Sequence, residues 1–183
     1  MMSKDEMRAQ ARMLRRRLAN ETPDAGERLA SFADDLPGVV VHALYLPMAS
    51  EVDTLPLARR LAFDGYDLCL PVVETPDAPL VFRRWWPGAP LAPDRLGVPA
   101  PLPTAPSVTP ELILTPLLAF DAFGGRLGQG GGYYDRTFAA FPGAVRVGVA
   151  FSGQGVDRVP MDAHDMPLHG VLTEVGYTAA QEV

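Results

Sequence analysis

The segment at residues 117–138, LLAFDAFGGRLGQGGGYYDRTF, concentrates glycines between charged and aromatic side chains. Its glycines are Gly124, Gly125, Gly128, Gly130, Gly131 and Gly132. Glycine adopts backbone angles that let main-chain amides approach a ligand, and a helix over residues 133–141 would add unpaired N–H groups that favour an anion. Arg126 supplies a guanidinium, and Asp135 supplies an oxygen for a magnesium ion that bridges phosphates. The segment therefore predicts a phosphate-binding loop.

Two common nucleotide motifs do not account for this loop. No Gly-Lys-Ser/Thr ends it, so it is not a Walker A loop, and its glycine spacing does not fit the dinucleotide fingerprint. A lone glycine cluster is structural about as often as it is functional. The interpretation therefore needs support from other parts of the chain.

The N-terminal helix offers further cations. Ser3 and Glu6 form a capping-box pattern, which predicts a helix that begins at Lys4. Its inward stripe is Met7, Ala11, Leu14 and Leu18. Lys4 and Arg8, four residues apart, share a face that could hold a phosphate chain. The remaining basic residues, Arg12, Arg15, Arg16 and Arg17, fit either a solvated face or an anion-binding surface.

Two acidic residues follow the first predicted strand, residues 39–46. Glu51 and Asp53 lie in the loop after this strand, and open α/β sheets place ligands at the carboxyl ends of their strands. We expect Thr54 to cap the next helix, residues 55–63. Glu51 and Asp53 are predicted to contact a ligand, and the sequence does not choose between them.

A further aspartate, Asp165, precedes the last predicted strand, residues 170–175. Its carboxylate fits a metal ligand as well as it fits a turn residue. We expect its neighbour His164 to be a turn residue. His42 is predicted to be a satisfied core histidine, and the single cysteine, Cys69, is predicted to be a buried thiol without chemistry.

Strands and helices alternate along the chain. A second helix is predicted from the pair Thr22-Pro23, and further strands are predicted over residues 66–73, 80–86, 112–118 and 145–151. Prolines recur over residues 87–110, which predicts one long extended loop. The alternation predicts an α/β fold, a three-layer α/β/α sandwich with a mainly parallel sheet and helices on both faces.

The composition fits one domain, residues 1–183. A net charge of −6 argues against nucleic-acid binding, and no apolar run is long enough for a membrane span. The charged N-terminus lacks the apolar core of a signal peptide. We therefore expect a cytoplasmic monomer that acts on small molecules.

The whole string from Phe120 to Arg136 closely resembles the signature of the 5-formyltetrahydrofolate cyclo-ligase family, also called methenyltetrahydrofolate synthetases. Residues 45–54, Tyr-Leu-Pro-x-x-x-Glu-Val-Asp-Thr, resemble the folate-binding loop of that family. The resemblance covers nearly the entire chain. It implies a Rossmann-related fold of the sugar-phosphate isomerase or CoA-transferase type. It also implies closure of 5-formyltetrahydrofolate to 5,10-methenyltetrahydrofolate, which depends on ATP and Mg²⁺ and releases ADP and phosphate.

The resemblance assigns roles to particular residues. Lys4 and Arg126 are the implied catalytic residues. The implied ATP-binding residues are Lys4, Arg8, Arg126, Leu127, Gly128, Gln129, Gly130, Gly131, Gly132, Tyr133 and Tyr134. The implied folate-binding residues are Met48, Glu51, Asp53, Gln129, Gly130, Gly131, Gly132 and Tyr133. Asp135 and Asp165 are the implied magnesium ligands.

Two other classes of protein share some of these features. A sugar-phosphate isomerase or transferase on a related fold would use phosphate loops and acids without ATP. A ligand-sensing or RNA-binding module would use the arginine-rich first helix, with Arg15, Arg16 and Arg17 as its contacts. The net negative charge makes this last hypothesis the weakest.

Overall fold

A seven-stranded β-sheet forms the centre of the computed structural model, which describes residues 2–183. All strands, in chain order, are β1 (Val41–Ala43), β2 (Asp67–Val72), β3 (Val81–Trp85), β4 (Leu91–Pro93), β5 (Pro99–Pro101), β6 (Leu112–Pro116), β7 (Ala119–Phe120), β8 (Arg126–Leu127), β9 (Val145–Val149), β10 (Gly170–Thr173) and β11 (Gly176–Ala179). The order in the central sheet is β11-β10-β9-β6-β1-β2-β3. Its inner strands are parallel, and β3 and β11 are antiparallel edge strands. The sheet is therefore mainly parallel, as predicted.

Helices cover both faces of this sheet. They are α1 (Lys4–Glu21), α2 (Ala25–Ala30), α3 (Leu55–Phe63) and α4 (Tyr133–Ala140). On one face, Leu57 of α3 belongs to the same buried cluster as Leu112 and Leu114 of β6. On the other face, Phe138 of α4 clusters with Ile113. Neighbouring residues of β6 enter opposite clusters because successive side chains of a strand point to opposite faces. The α/β fold class is thus confirmed.

Helix α1 begins as its sequence pattern predicted. The Ser3 hydroxyl accepts the N–H of Glu6 at 3.2 Å, and the Glu6 carboxylate accepts the N–H of Ser3 at 2.7 Å. Met7 and Ala11 pack against the small cluster that includes Leu127 of β8. These contacts fix α1 beside the glycine-rich segment.

Several element boundaries differ from the predictions. The first predicted strand, residues 39–46, pairs only over Val41–Ala43, because the chain leaves the sheet before Pro47. The second helix begins at Ala25 rather than next to Pro23. The last predicted strand ends at Thr173, where the chain turns into the antiparallel strand β11. The sequence did not predict β11, since its residues are partly exposed and carry no apolar run.

Residues 87–110 were predicted as one long extended loop, but two short strands outside the central sheet interrupt it. Strands β4 and β5 pair as a separate two-stranded sheet within it. Asp94 closes the turn, because its carboxylate accepts the N–H groups of Leu96 and Val98 at 2.9 and 3.1 Å. The same side chain accepts the N–H of Val73 at 3.0 Å, which ties this hairpin to the end of β2. Prolines are tolerated here because short edge strands need few N–H donors.

A second small hairpin, β7–β8, carries the chain into the glycine-rich segment. Asp121 lies in its turn rather than at the end of the central sheet, and its carboxylate accepts the N–H groups of Phe123 and Gly125 at 2.9 Å each. Gly124 has a φ of +87° and accepts the N–H of Leu168 through its carbonyl at 2.8 Å. This bond connects the hairpin to the segment that carries Asp165.

We expect Gly124→Ala to lower the free energy of unfolding by about 3 kcal/mol. An added Cβ would overlap the Leu168 carbonyl oxygen and lie 3.1 Å from the Leu168 nitrogen, at a φ that L-residues rarely adopt. Gly143→Ala is the control, because no heavy atom lies within 4 Å of a Cβ there. Urea unfolding monitored by circular dichroism measures both. Equal midpoints for the two variants would contradict the role given to Gly124.

Candidate functional site

A cleft of about 550 Å³ opens at the carboxyl edge of the parallel strands. Leu70 and Pro71 of β2 and Pro116 of β6 line it, and its walls come from α1, the β4–β5 hairpin and the glycine loop, residues 128–132. Open α/β sheets bind ligands at this edge, and the volume is in the range of small-molecule sites. The cleft is therefore the candidate active site.

Lys4 connects the first turn of α1 to two aspartates far along the chain. Its Nζ lies 2.6 Å from Asp162 Oδ2 and 2.9 Å from Asp165 Oδ2. Partial burial acts to lower the pKa of Lys4, but its bonds to both carboxylates outweigh burial and raise this pKa. Burial acts to raise the pKa of Asp165, but the N–H of Asp162 and the Lys4 ammonium outweigh it and lower that pKa. Lys4 is thus held as a cation and Asp165 as an anion.

Arg126, at the start of β8, is a second cation of the cleft and is nearly buried. Its side chain is 6% exposed, and its Nη2 lies 3.2 Å from Asp135 Oδ2. The guanidinium carbon lies 5.9 Å from the centre of the Tyr134 ring and 5.7 Å from that of Phe138. Within residues 2–183, Arg126 Nε has no hydrogen-bond partner. A buried guanidinium with an unpartnered N–H is suited to bind an anion in the cleft.

Arg8 holds the glycine loop in place. Its Nε donates to the Gly128 carbonyl at 3.1 Å. Gly130 has a φ of +103°, and a Cβ there would lie 3.3 Å from Arg8 Cζ. Gly132, with a φ of +71°, is the N-cap of α4, as the sequence predicted for a helix after the loop. The loop therefore leads into a helix N-terminus whose first residues line the cleft.

Glu51 and Asp53 lie in different environments. Glu51 lines the cleft, and its Oε2 accepts the N–H of Met48 at 2.9 Å. Asp53 is exposed, outside the cleft lining, and its Oδ1 accepts the N–H of Leu55 at 3.0 Å at the start of α3. Thr54 was expected to cap this helix, but its hydroxyl instead donates to the Tyr45 carbonyl. The cap belongs to Asp53 because the Thr54 side chain is buried.

Arg15 supports the loop that carries Glu51. It is 4% exposed, its Nε donates to Ser50 Oγ at 3.0 Å, and its Nη1 donates to the Leu117 carbonyl at 3.1 Å. Nη1 also lies 4.0 Å from Glu51 Oε1. Arg15 therefore joins α1, the Glu51 loop and the end of β6, and it is not available as a surface contact for RNA.

The fold brings nearly all predicted site residues into one cleft. Those that line it are Lys4, Arg8, Met48, Glu51, Arg126, Leu127, Gly128, Gln129, Gly130, Gly131, Gly132, Tyr133, Tyr134, Asp135 and Asp165. Asp53 alone among the predicted site residues lies outside the lining.

Some lining residues were not predicted. Asp162 shares Lys4 with Asp165, and its spacing of three residues before Asp165 was the available signal. Tyr45 is buried directly after β1, and burial raises the pKa of its phenol well above the usual range. Asp94 and Val98 come from the β4–β5 hairpin, whose position over the cleft depends on tertiary contacts that the sequence pattern does not show.

Other candidate residues lie away from the cleft. Cys69 is fully buried, and burial raises its pKa to about 12, so the thiol stays protonated. His42 is buried as predicted, but its Nδ1 has no partner within residues 2–183, so it is not fully satisfied.

Two features are absent from residues 2–183. No helix in residues 2–183 is long and apolar enough to cross a membrane. Nor do these residues contain a cluster of three or more His, Cys, Asp or Glu side chains arranged to hold a metal ion by themselves.

A glycine loop at the carboxyl edge of an α/β sheet, in a cleft lined by cations and carboxylates, is typical of α/β enzymes that act on anionic small molecules. Residues 1–174 match the family model described as the 5-formyltetrahydrofolate cyclo-ligase family. The chain therefore belongs to this family, and it is an ATP-dependent ligase of folate metabolism.

Individual relatives agree with this result. The chain is 34% identical over 175 residues to the 5-formyltetrahydrofolate cyclo-ligase of Escherichia coli K12, covering 88% of this chain and 96% of the relative. The NMR structure of Aquifex aeolicus 5,10-methenyltetrahydrofolate synthetase superimposes with a TM-score of 0.82 at 31% identity, covering 100% of this chain and 95% of that one. A Mycoplasma pneumoniae 5,10-methenyltetrahydrofolate synthetase, at 22% identity and a TM-score of 0.73 with 94% and 99% coverage, shares the fold.

Proposed function

We propose that the cleft between α1, the glycine loop and the Glu51 loop is the active site for ATP-dependent closure of 5-formyltetrahydrofolate. The observation that carries this proposal is the arrangement of two cations, Lys4 and Arg126, each paired with a carboxylate, in the cleft that the glycine loop lines. Phosphoryl transfer requires mainly positioning and neutralisation of charge, and these groups supply both.

The reaction can be written with these groups in defined roles. The formyl oxygen attacks the γ-phosphorus of ATP, ADP leaves, and the formyl carbon becomes activated. N10 of the folate attacks this carbon and loses its proton, the five-membered ring closes, and phosphate departs with the former formyl oxygen. Lys4, Arg8 and Arg126 stabilise the negative charge of the phosphates during transfer, and the amides of the glycine loop position them.

Magnesium fits two carboxylates of the cleft, Asp135 and Asp165. Asp165 Oδ2 carries the bonds to Lys4 and Asp162, whereas Asp165 Oδ1 has no hydrogen bond within the described residues. Mg²⁺ is usually held by one or two carboxylates together with phosphates and water, so a cage of three protein ligands is not needed. Asp135 and Asp165 would hold the ion, which neutralises phosphate charge when bound.

We propose that Glu51 binds the pterin ring. The amino group and ring N–H groups of a pterin donate hydrogen bonds, and the Glu51 carboxylate would accept them. Burial raises the pKa of Glu51, although the Met48 N–H and Arg15 oppose this shift. On acidification, Glu51 therefore becomes protonated at a higher pH than an exposed glutamate does. We expect KM for folate to rise as the solution is acidified, because protonation removes the carboxylate that accepts these bonds, and we expect Glu51→Gln to lose this dependence.

Asp53→Asn is the matched control for this prediction. Asp53 caps α3, and asparagine caps a helix about as well as aspartate, so the replacement should change stability little and leave the pH dependence of KM unchanged. Steady-state kinetics across the mildly acidic range distinguish the two acids. Loss of the pH dependence in Asp53→Asn, but not in Glu51→Gln, would assign the folate contact to Asp53.

Absorbance at near-ultraviolet wavelengths tests the reaction itself, because methenyltetrahydrofolate absorbs there and the substrate does not. Purified protein mixed with 5-formyltetrahydrofolate should give a rise only when ATP and Mg²⁺ are both present. An isomerase or transferase acting on sugar phosphates would need no ATP. Folded protein that gives no rise under any of these conditions would contradict the proposal.

We also propose that the chain acts as a single-domain monomer in the cytoplasm. The residues that the proposed reaction uses line one cleft within this domain. Light scattering of the purified protein measures the oligomeric state.

A further inference from the structure

Asp121, in the turn of the β7–β8 hairpin, is a buried carboxylate that no step of the proposed reaction uses. It is 4% exposed and does not line the cleft. Within residues 2–183 it forms no salt bridge. Its Oδ1 accepts the N–H groups of Phe123 and Gly125, and its Oδ2 accepts the N–H of Val159 at 2.8 Å. A buried charge without a cation is costly unless hydrogen bonds satisfy it, and here N–H donors do so.

The two oxygens of Asp121 hold two different parts of the active site. Oδ1 fixes the turn at Gly125, directly before Arg126. Oδ2 fixes Val159, in the segment that carries Asp165. The Asp121 carboxylate therefore connects the backbone that positions Arg126 to the backbone that positions Asp165.

The segment of residues 156–169 depends on such bonds for its position, because it contains no helix or strand. Backbone bonds attach it to the β7–β8 hairpin near its two ends, at Val156 and at Leu168, each at 2.8 Å. Between these points, the Asp121 side chain attaches it at Val159. Loss of the bond at Val159 would let the middle of the segment shift while its ends stay attached.

The glycine at position 125 is explained by this carboxylate. Gly124 has a positive φ, whereas Gly125 does not. A Cβ at position 125 would overlap Asp121 Oδ2 and would lie 2.8 Å from Asp121 Cγ. Because Oδ2 is the oxygen that binds Val159, even a methyl group at position 125 would push this oxygen away from its donor.

We propose that Asp121 is a positioning residue for phosphoryl transfer, which sets the position of Asp165 relative to Arg126. The inference rests on the proposed function, because it assumes that both groups act on the same phosphate chain. Groups that stabilise a transition state must be held close to their productive geometry, and a displacement on the order of 1 Å can lower the rate about 100-fold. Asp121 lies outside the cleft lining, so it acts through the backbone and not on the substrates.

Asp121→Asn tests the connection with the smallest change of shape. Asparagine keeps one oxygen that can accept the two N–H groups of the turn, but its NH₂ group would face the Val159 N–H, and two donors cannot bond. We expect kcat to fall by about 10- to 100-fold, with KM for ATP and for 5-formyltetrahydrofolate within about three-fold of wild type. Misplaced groups lose interactions that are made in the transition state, which lowers kcat more than it raises KM.

Gly125→Ala tests the same bond while the carboxylate remains. Its methyl group would displace Asp121 Oδ2 from Val159, and alanine is not strained there because φ is not positive. This variant should show the same fall in kcat with KM little changed. It also decides the question if Asp121→Asn does not fold.

Hydrogen exchange of the Val159 amide, measured by NMR of ¹⁵N-labelled protein, reports on the bond itself. We expect this amide to exchange about 10-fold faster in Asp121→Asn than in wild type, with a smaller change at Gly125. Glu174→Gln is the matched control. Glu174 is also a buried carboxylate outside the cleft lining, and its two oxygens accept the N–H and the hydroxyl of Ser152 at 2.8 and 2.6 Å. Its replacement should leave kcat within about two-fold of wild type.

The proposal is overturned if exchange at Val159 is unchanged in Asp121→Asn, or if it becomes faster while kcat stays at the wild-type value. It is also overturned if KM rises while kcat does not change. An equal fall of kcat in Glu174→Gln would assign the effect to general destabilisation and would overturn it as well. Wild-type protein that forms no methenyltetrahydrofolate with Mg²⁺-ATP would instead contradict the proposed function, whereas the exchange experiment would still report on the Asp121–Val159 bond.

Discussion

Lys4→Ala should lower kcat by about 100-fold or more, equivalent to about 3 kcal/mol of transition-state stabilisation. The Lys4 ammonium lies between Asp162 and Asp165 at the edge of the cleft, where it can meet the transferred phosphate. Its removal leaves the two carboxylates without their shared cation. Initial rates of methenyltetrahydrofolate formation at saturating substrates measure the change.

Two further variants make this result specific. Lys4→Arg keeps the charge but changes the geometry, and it should recover part of the lost activity. Arg17→Ala removes a cation from an exposed position of the same helix and should leave kcat within about two-fold of wild type. Lys4→Ala with near-normal kcat would remove this residue from the mechanism.

The role of Lys4 can also be tested by chemical modification. Lys4 is the only lysine in the sequence, whereas arginine occurs throughout it. An amine-selective reagent can therefore modify only Lys4 and the α-amino group. We expect Mg²⁺-ATP to protect Lys4 from modification, as measured by mass spectrometry of a tryptic digest.

Replacement of Arg126 by methionine should lower kcat/KM by about 100- to 1,000-fold. Arg126 is the most buried cation of the cleft, and its Nε has no partner within residues 2–183. Methionine fills much of the same volume beside Tyr134 and Phe138 but cannot bind an anion. The variant also leaves Asp135 without its cation, so KM for ATP should rise together with the loss of kcat.

Stability must be separated from catalysis in this variant. Breaking the Arg126–Asp135 pair should destabilise the fold by on the order of 2 kcal/mol, as measured by urea unfolding. Arg126→Lys retains a charge and should fold with higher stability, while its activity stays well below wild type because the planar guanidinium is lost. Folded Arg126→Lys with full activity would show that only charge matters at this position.

The sequence predicted which residues come together in the cleft better than it predicted the bounds of the elements around them. The glycine loop, Lys4 and Arg8 were recognisable because local patterns determine them: glycines with positive φ and a capped helix with two cations on one face. The sequence pattern could not decide whether Glu51 or Asp53 faces the ligand, because both residues follow the same strand. Their environments differ because Glu51 lies beside Arg15, whereas the Asp53 carboxylate accepts the N–H of Leu55 at the start of α3.

The remaining differences have tertiary causes. Arg15 belongs to a basic run that predicted either a solvated face or an anion-binding surface, yet it is buried because the Ser50 hydroxyl and the Leu117 carbonyl accept its hydrogen bonds. Strands β4 and β5 were not predicted because their prolines are unfavourable in strands. The two strands nevertheless pair, and Asp94 stabilises the turn between them. In both cases the partners lie far apart in the chain or carry no periodic pattern, so sequence periodicity gives no signal.

The most direct test of the proposed reaction is to measure whether the formyl oxygen is transferred to phosphate. The substrate would be 5-formyltetrahydrofolate labelled with ¹⁸O in the formyl group, and the product phosphate would be analysed by mass spectrometry after one turnover. The proposed mechanism predicts that the label appears in inorganic phosphate, because the formyl oxygen accepts the γ-phosphoryl group and leaves with it. Label released into water, with unlabelled phosphate, would contradict phosphorylation of the substrate in this cleft.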